Sequence, residues 1–269
     1  MFDHAHDFGI RDSHFIGTQI NHAAPAGSGL DKLPQNSMPD VSHDSLARHP
    51  PPKCHLGTRK EYISTISNWS LGESEHREPM LWLRGPFGVG KTAVAQSSAE
   101  ALKFKGKLLA TLFFSCSYAD RDDPRHVIPS LVYQITTLCN PFANIIDVRM
   151  RKDPSVTTKA LSMQFDQLLV IPLRQLDAAT RASLEGRVII IDGLDECRGT
   201  AEQCEIIRII AASARNRTTP FQWFITSRPE DPIIRTMNTP SISSTVYRIE
   251  LPISQEIDHE ILLFLTDEF

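Results

Sequence analysis

Apolar residues recur along the chain in two alternating patterns, short continuous runs and amphipathic segments. The clearest run is residues 188–191, four consecutive β-branched residues, which predicts a buried central strand. Residues 58–70 carry apolar side chains three and four positions apart, which predicts a helix. Further strands are predicted at residues 80–83, 108–116, 221–226 and 247–251. Further helices are predicted at residues 91–105, 125–139, 142–151, 164–176 with a kink at Pro172, 201–215 and 256–269. Strands that alternate with helices of this length specify an α/β fold, with a mainly parallel sheet covered by helices on both faces.

The first 53 residues lack this alternation. They hold six of the ten histidines and six prolines, with no sustained apolar period. Such a segment cannot bury enough apolar area to offset its chain entropy, so we predict a disordered N-terminal tail over residues 1–53. Within it, residues 13–21 form an uncharged, β-prone patch typical of edge-to-edge pairing, and a brief strand or loop is the favoured alternative. The predicted divisions are this tail, a lead-in helix and linker at 54–78, and one folded core at 79–269.

Composition narrows the class of protein. Hydrophobic residues make up 41% and charged residues 22%, as in an ordinary globular protein. The net charge of -4 argues against a broad nucleic-acid surface, and no apolar run approaches the roughly 18 residues of a membrane span. The five cysteines are scattered, none has a zinc-site spacing, and the N-terminus lacks a secretory signal pattern. We therefore expect a cytoplasmic protein with reduced thiols.

The strongest chemical signal is the sequence GPFGVGKT at residues 85–92. It matches the phosphate-binding loop and lies between a predicted strand and a predicted helix, the context that this motif requires. Its backbone N–H groups, the Lys91 ammonium and the positive end of the helix are suited to nucleotide phosphates, and the Thr92 hydroxyl is suited to Mg²⁺. The predicted phosphate-binding residues are Gly85, Pro86, Phe87, Gly88, Val89, Gly90, Lys91 and Thr92.

Polar residues also follow two other predicted strands, at the carboxyl edge where parallel sheets bind ligands. Asp192 comes directly after residues 188–191, and we predict that it ligates Mg²⁺ together with Thr92. Asp195 and Glu196 lie one turn further on, and we predict that they orient or deprotonate an attacking water, a solvated helix start being the alternative. Arg228 follows the strand at 221–226, and we predict that it contacts a γ-phosphate.

In order and spacing, these motifs resemble the NACHT (STAND) class of signal-transducing NTPases. The residues that carry the likeness are the phosphate loop, the sequence DGLDE at 192–196 and the sequence TSRP at 226–229. The resemblance covers about residues 50–269 and extends to fungal NOD-like receptors with a nephrocystin-like N-terminal domain. It implies a P-loop NTPase fold that binds ATP or ADP with Mg²⁺, with GTP left open, and hydrolyses the nucleotide slowly. It also implies contacts near the base from Gly57, Thr58 and Arg59, homo-oligomers on activation, and a role in innate nonself recognition or programmed cell death.

Two readings of function follow from this resemblance. In that family a winged-helix region and sensor repeats come after the NTPase core, whereas this sequence ends at Phe269 without repeats. We therefore expect a truncated receptor fragment or a stand-alone switch NTPase. The alternative is a scaffold or interaction module with a structural or inactive nucleotide site, whose N-terminal tail makes homotypic contacts. Neither reading includes nucleic acid or a membrane span.

Overall fold

The computed structural model describes residues 28–54, 58–118 and 120–253. It contains a five-stranded sheet with the order β2-β3-β4-β1-β5, and every neighbouring pair of strands is parallel. The strands are β1 (Met80–Arg84), β2 (Leu108–Phe113), β3 (Val188–Asp192), β4 (Gln222–Ser227) and β5 (Val246–Glu250). The structure confirms the predicted α/β class, and the sheet has the P-loop NTPase arrangement, in which the phosphate loop follows a central strand.

Ten α-helices connect and cover the strands in the described part of the chain. They are α1 (Lys60–Leu71), α2 (Lys91–Phe104), α3 (Val127–Leu138), α4 (Asn140–Lys152), α5 (Leu161–Phe165), α6 (Ile171–Gln175), α7 (Ala178–Ser183), α8 (Thr200–Asn216), α9 (Asp231–Met237) and α10 (Pro240–Ser243). Within residues 28–54, 58–118 and 120–253, no helix is long and apolar enough to cross a membrane. The helix predicted at 256–269 lies outside the described residues.

The strands are apolar on both faces, and the sheet therefore separates two hydrophobic cores. Alternate residues of a strand point to opposite faces. Accordingly, Trp82 and Ile189 lie in the larger core with α3, α4 and α8, whereas Leu83 and Ile190 lie in the smaller core with α1 and α2. This two-sided burial explains why the strands read as continuous apolar runs rather than alternating ones.

The segment predicted as one kinked helix at 164–176 is built from three pieces. A π-helical turn, Asp166–Val170, joins α5 to α6, and the N–H of Ile171 donates to the carbonyl of Asp166. Pro172 comes directly after this turn, in the first turn of α6. Proline has no N–H to donate and crowds the preceding helical turn, so the irregularity lies just before the proline.

The structure differs from the predicted tail from residue 28 onward. Residues 28–54, called the N-terminal segment below, form four 3₁₀ turns: Gly29–Lys32, Pro34–Asn36, Pro39–Val41 and Leu46–Arg48. Leu33 and Val41 are fully buried and Met38 is 3% exposed, all three in the larger core. Hydrogen bonds also hold this backbone, since the N–H of Met38 donates to Ser130 Oγ over 2.7 Å. The disorder prediction therefore fails for residues 28–53, and residues 1–27, including the patch at 13–21, lie outside the described residues.

Candidate functional site

The phosphate loop connects the end of β1 to the first turn of α2. Gly88 and Gly90 have φ angles of +80° and +91°, a backbone conformation that strains any residue with a side chain. Lys91 folds back over the loop, and its Nζ donates to the carbonyls of Gly85 over 2.8 Å and Pro86 over 2.7 Å. The Phe87 side chain is exposed at the tip. The residues predicted to bind phosphate thus form one continuous turn at the carboxyl edge of the sheet.

Asp192 ends β3 next to this loop and is almost completely buried, with 2% of its surface exposed. Thr226 on β4 donates to Asp192 Oδ1 over 2.6 Å, and the N–H of Gly193 donates to Thr226 Oγ1 over 3.0 Å. Burial raises the pKa of Asp192, whereas hydrogen bonds from Thr226 and Thr92 and the charge of Arg48 lower it. The carboxylate is therefore held by Thr226 and lines the same cavity as Thr92, and the binding of Mg²⁺ by these two residues stays a prediction.

The oxygen set fits Mg²⁺ bound together with a nucleotide. In the part of the chain that the structure describes, no cluster of three or more His, Cys, Asp or Glu side chains forms a complete metal site. Thr92 and Asp192 supply two oxygens beside the phosphate loop. Mg²⁺ in nucleotide sites keeps several waters and takes only one or two protein ligands plus substrate phosphates, so this pair is sufficient.

Asp192→Asn is expected to stabilise the nucleotide-free protein at neutral pH while weakening Mg²⁺-dependent nucleotide binding. A buried carboxyl whose pKa is raised in the folded state loses its contribution to stability as pH rises through that pKa, so at pH 7 the charge is a cost. Asparagine keeps an oxygen for Thr226 and removes the charge. Urea unfolding at pH 7 should show a gain of about 1–2 kcal/mol that shrinks as the pH is lowered.

The exposed residue Asp166 offers the control for this measurement, because Asp166→Asn should change the free energy of unfolding by less than about 0.5 kcal/mol. A loss of stability in Asp192→Asn would contradict the prediction, since it would mean that the charged carboxylate holds the fold together.

Asp195 and Arg228 bind each other. The backbone N–H of Arg228 donates to Asp195 Oδ1 over 2.8 Å, and Arg228 Nε donates to Asp195 Oδ2 over 2.6 Å. The Asp195 side chain is 3% exposed and that of Arg228 is 41% exposed. The sequence predicts separate roles for the two residues, at a water for Asp195 and at a γ-phosphate for Arg228. In this conformation each is the other's partner, and the pair fastens the turn after β3 to the end of β4.

Glu196 faces a cavity of about 330 Å³ that Thr92 and Asp192 also line. Its Oε2 accepts a hydrogen bond from the backbone N–H of Cys116 over 3.1 Å. A larger cavity of about 710 Å³ lies between Pro79, Gly186 and Thr245, which precede β1, β3 and β5. It is therefore at the opposite edge of the sheet, away from the phosphate loop.

The electrostatics around Lys91 show that the predicted charged residues converge. Burial lowers the pKa of Lys91, and the carboxylates of Asp195, Asp192 and Glu196 raise it, while the charge of Arg228 lowers it. Residues that follow three different strands thus bring one lysine, three carboxylates and one arginine close enough to shift one another's pKa. They lie at the edge of the sheet where such sheets bind ligands.

Residues that precede α1 also reach the phosphate loop. Arg59 Nη2 donates to the carbonyl of Val89 over 3.3 Å, and Thr58 is buried beside it. Gly57 lies outside the described residues. The base contacts expected from Gly57, Thr58 and Arg59 stay a prediction, now with one hydrogen bond that joins this part of the chain to the loop.

Two arginines that were not predicted as site residues line the cavity beside Glu196. Arg48 comes from the N-terminal segment, and Arg121 from the loop after β2. Arg48 belongs to the part predicted as tail, so no local signal marked it. Arg121 follows a predicted strand and lies at the same sheet edge as Asp192. That position is a sequence signal from which Arg121 could have been predicted as a site residue.

Comparisons with known proteins place the chain in a family. A family model described as Nephrocystin 3, N-terminal, matches residues 57–228. Among curated proteins, none matches the chain.

Solved structures that resemble the chain include Drosophila ORC bound to AT-rich DNA and Cdc6, with 9% identity over 92% of this chain and a TM-score of 0.44. AMPPCP-bound DnaA from Aquifex aeolicus has 12% identity over 86% and a TM-score of 0.38, and C. elegans PCH-2 has 13% over 82% and a TM-score of 0.31. The chain covers 36%, 56% and 46% of those three chains respectively, less than two thirds of each. Because the family model matches more than half of the chain, including the phosphate loop, Asp192 and Arg228, this protein belongs to the Nephrocystin 3, N-terminal family and has a P-loop NTPase fold.

Proposed function

We propose that the protein is a nucleotide-controlled switch that binds ATP or ADP with Mg²⁺ and hydrolyses the triphosphate slowly. One observation carries the proposal: the phosphate loop with Lys91 lies beside a buried Asp192, and Asp192 and Thr92 line the same cavity. Lys91 neutralises the terminal phosphates, the loop N–H groups bind them, and Thr92 and Asp192 hold the ion. A Mg²⁺ ion held by these two residues would supply positive charge to the phosphate oxygens.

Slow turnover is supported by the state of the two carboxylates next to the loop. A general base must have a lone pair free for the proton of the attacking water. Asp195 already accepts two hydrogen bonds from Arg228, and Glu196 accepts one from the backbone of Cys116. Glu196, with its second oxygen available and its side chain at the cavity, is the better candidate to orient water. The engagement of Asp195 leaves Glu196 as the one carboxylate of the two with a free oxygen for the proton, which suits a switch better than a metabolic enzyme.

The finer biological role rests on the resemblance of the three motifs to NACHT proteins. It supports a STAND-type switch in the cytoplasm, of fungal type, that acts in nonself recognition or programmed cell death and forms homo-oligomers with the triphosphate bound. The competing function is a scaffold whose nucleotide site is structural. The engagement of Asp195 by Arg228 favours that alternative, because it removes one of the two bases.

Calorimetric titration of the full chain with MgATP and MgADP, together with a phosphate-release assay, tests the proposal. We expect saturable binding of both nucleotides and slow release of phosphate by the wild-type protein. Thr92→Ala should lose the Mg²⁺-dependent part of the affinity, roughly tenfold or more, because one protein ligand of the ion is gone.

Thr92→Ser keeps the hydroxyl and is the matched control, expected to behave like wild type. Binding without phosphate release above the Thr92→Ala level would favour the scaffold function. The absence of saturable nucleotide binding by the wild-type chain would overturn both functions.

A further inference from the structure

Two arginines face the cavity beside the phosphate loop. Arg48 ends the last 3₁₀ turn of the N-terminal segment, and Arg121 lies in the loop that follows β2. The same cavity, of about 330 Å³, is also lined by Thr92, Asp192 and Glu196. It therefore brings together the oxygens suited to a metal ion and two arginine side chains.

In the described part of the chain, neither arginine has a carboxylate to pair with, although Arg121 is buried and Arg48 is partly buried. Arg121 is 7% exposed, and burial lowers the pKa of Arg48 to about 10. Arg48 stacks 3.5 Å above the centroid of the Phe113 ring, and its Nη1 donates to the amide of Gln96 over 2.8 Å. Among residues 28–54, 58–118 and 120–253, no carboxylate oxygen lies within 4.0 Å of either guanidinium.

Among the described residues, the two arginines lack a nearby negative charge that would balance their own. The charge of Arg121 lowers the pKa of Arg48, so the two cations repel each other, while Asp192 raises that pKa by attraction. Buried charges without ion-pair partners are costly, and arginine forks match the geometry of phosphate oxygens. A dianion between the two guanidinium groups would relieve their repulsion. A metal ion bound to Asp192 would take up the charge of that carboxylate and leave both arginines available to the dianion.

We propose that Arg48 and Arg121 bind the terminal phosphate of a nucleoside triphosphate, so that the N-terminal segment distinguishes triphosphate from diphosphate. This inference rests on the proposed function and adds its sensing element. The Lys91 ammonium of such a loop reaches the β- and γ-phosphates, and Thr92 directs the ion to the same groups, so the third phosphate lies toward this cavity. Arg228, the residue predicted from the sequence to make this contact, is bound by Asp195 instead.

The N-terminal segment is bound to the rest of the domain both before and after Arg48 in the chain. A change at Arg48 is therefore transmitted to the domain. Upstream, the N–H of His43 donates to Thr111 Oγ1 on β2 over 2.8 Å. Downstream, the N–H of Cys54 donates to Ser97 Oγ on α2 over 3.1 Å, and Lys53 pairs with Glu100 over 2.8 Å. Binding of a third phosphate to Arg48 therefore tightens the link between the N-terminal segment and the helix that follows the phosphate loop.

Calorimetry on the full chain tests this with AMPPCP, a triphosphate analogue that is not hydrolysed at the β,γ position, and with ADP, both with Mg²⁺. Arg48→Ala should lower the affinity for AMPPCP by roughly 10- to 100-fold and leave that for ADP within about twofold, because only the triphosphate reaches the guanidinium. Arg121→Gln should shift the ratio in the same direction. Arg48→Lys should recover only part of the loss, since an ammonium lacks the bidentate fork.

Lys32→Ala removes an exposed cation from the same segment outside the cavity and is the matched control, expected to leave the AMPPCP to ADP ratio unchanged. In the wild-type protein, hydrogen exchange of residues 45–53 should be slowed more by AMPPCP than by ADP. An equal loss for both nucleotides in Arg48→Ala and Arg121→Gln, or an unchanged ratio, would overturn the inference and leave the proposed function standing. A wild-type chain that binds neither nucleotide would overturn the proposed function, and this inference with it.

Discussion

Lys91→Ala reduces the affinity of the protein for MgATP by at least about 100-fold, which corresponds to about 3 kcal/mol of lost binding free energy. Lys91 is the cation at the centre of the phosphate loop, held over the carbonyls of Gly85 and Pro86 by two hydrogen bonds. Hydrogen bonds between charged groups contribute about 1.5–3 kcal/mol each, and the ammonium also neutralises phosphate charge across a partly buried loop. Its removal leaves Asp192, Asp195 and Glu196 facing the phosphates with one less positive charge.

Lys105→Ala is the control for that loss. Lys105 is exposed and comes directly after α2, whereas Lys91 begins that helix. The two substitutions remove one lysine each, at opposite ends of α2, so a purely long-range effect of net charge would appear in both. We expect the affinity of Lys105→Ala to stay within about twofold of wild type. Calorimetry that finds Lys91→Ala within about threefold of wild type would remove the loop from the nucleotide site.

The parts of this site that the sequence predicted are those set by the sheet itself. Residues 188–191 had to be a central strand because they are apolar on both faces, and the residue after such a strand lies at the carboxyl edge. The phosphate loop follows β1 by the same rule, and β1 is hydrogen-bonded between β4 and β5. Lys91, Thr92 and Asp192 are therefore close in space for reasons that local patterns contain.

The pairing of Asp195 with Arg228 was not predictable from spacing. Their contact depends on the register in which Ile191 on β3 lies opposite Ile225 on β4, and on how the turn after Asp192 folds back. Parallel neighbours separated by a helix carry no local sequence signal for their register. Both residues were therefore correctly predicted at the sheet edge, but the group that each one binds could be seen only in the folded structure.

The N-terminal segment was missed for a different physical reason. Leu33, Met38 and Val41 are spaced five and three residues apart and are separated by prolines, so they have neither a helical nor a strand period. Their burial depends on a surface built from α3 and α4, whose residues are about 100 positions later in the chain. Composition averaged over the segment indicates disorder, whereas three side chains are enough to anchor it.

Leu33→Ala lowers the free energy of unfolding by about 2–5 kcal/mol, while Leu46→Ala on the same segment changes it by less than about 0.5 kcal/mol. Leu33 is fully buried in the larger core and Leu46 is 88% exposed, so the two substitutions remove the same atoms from opposite environments. Urea unfolding followed by tryptophan fluorescence measures both, because Trp82 and Trp223 are buried in that core. Equal, small effects would mean that residues 28–54 detach readily, which the burial of Leu33 does not allow. A large difference would establish that the segment carrying Arg48 folds with the domain, as its place beside the phosphate loop requires.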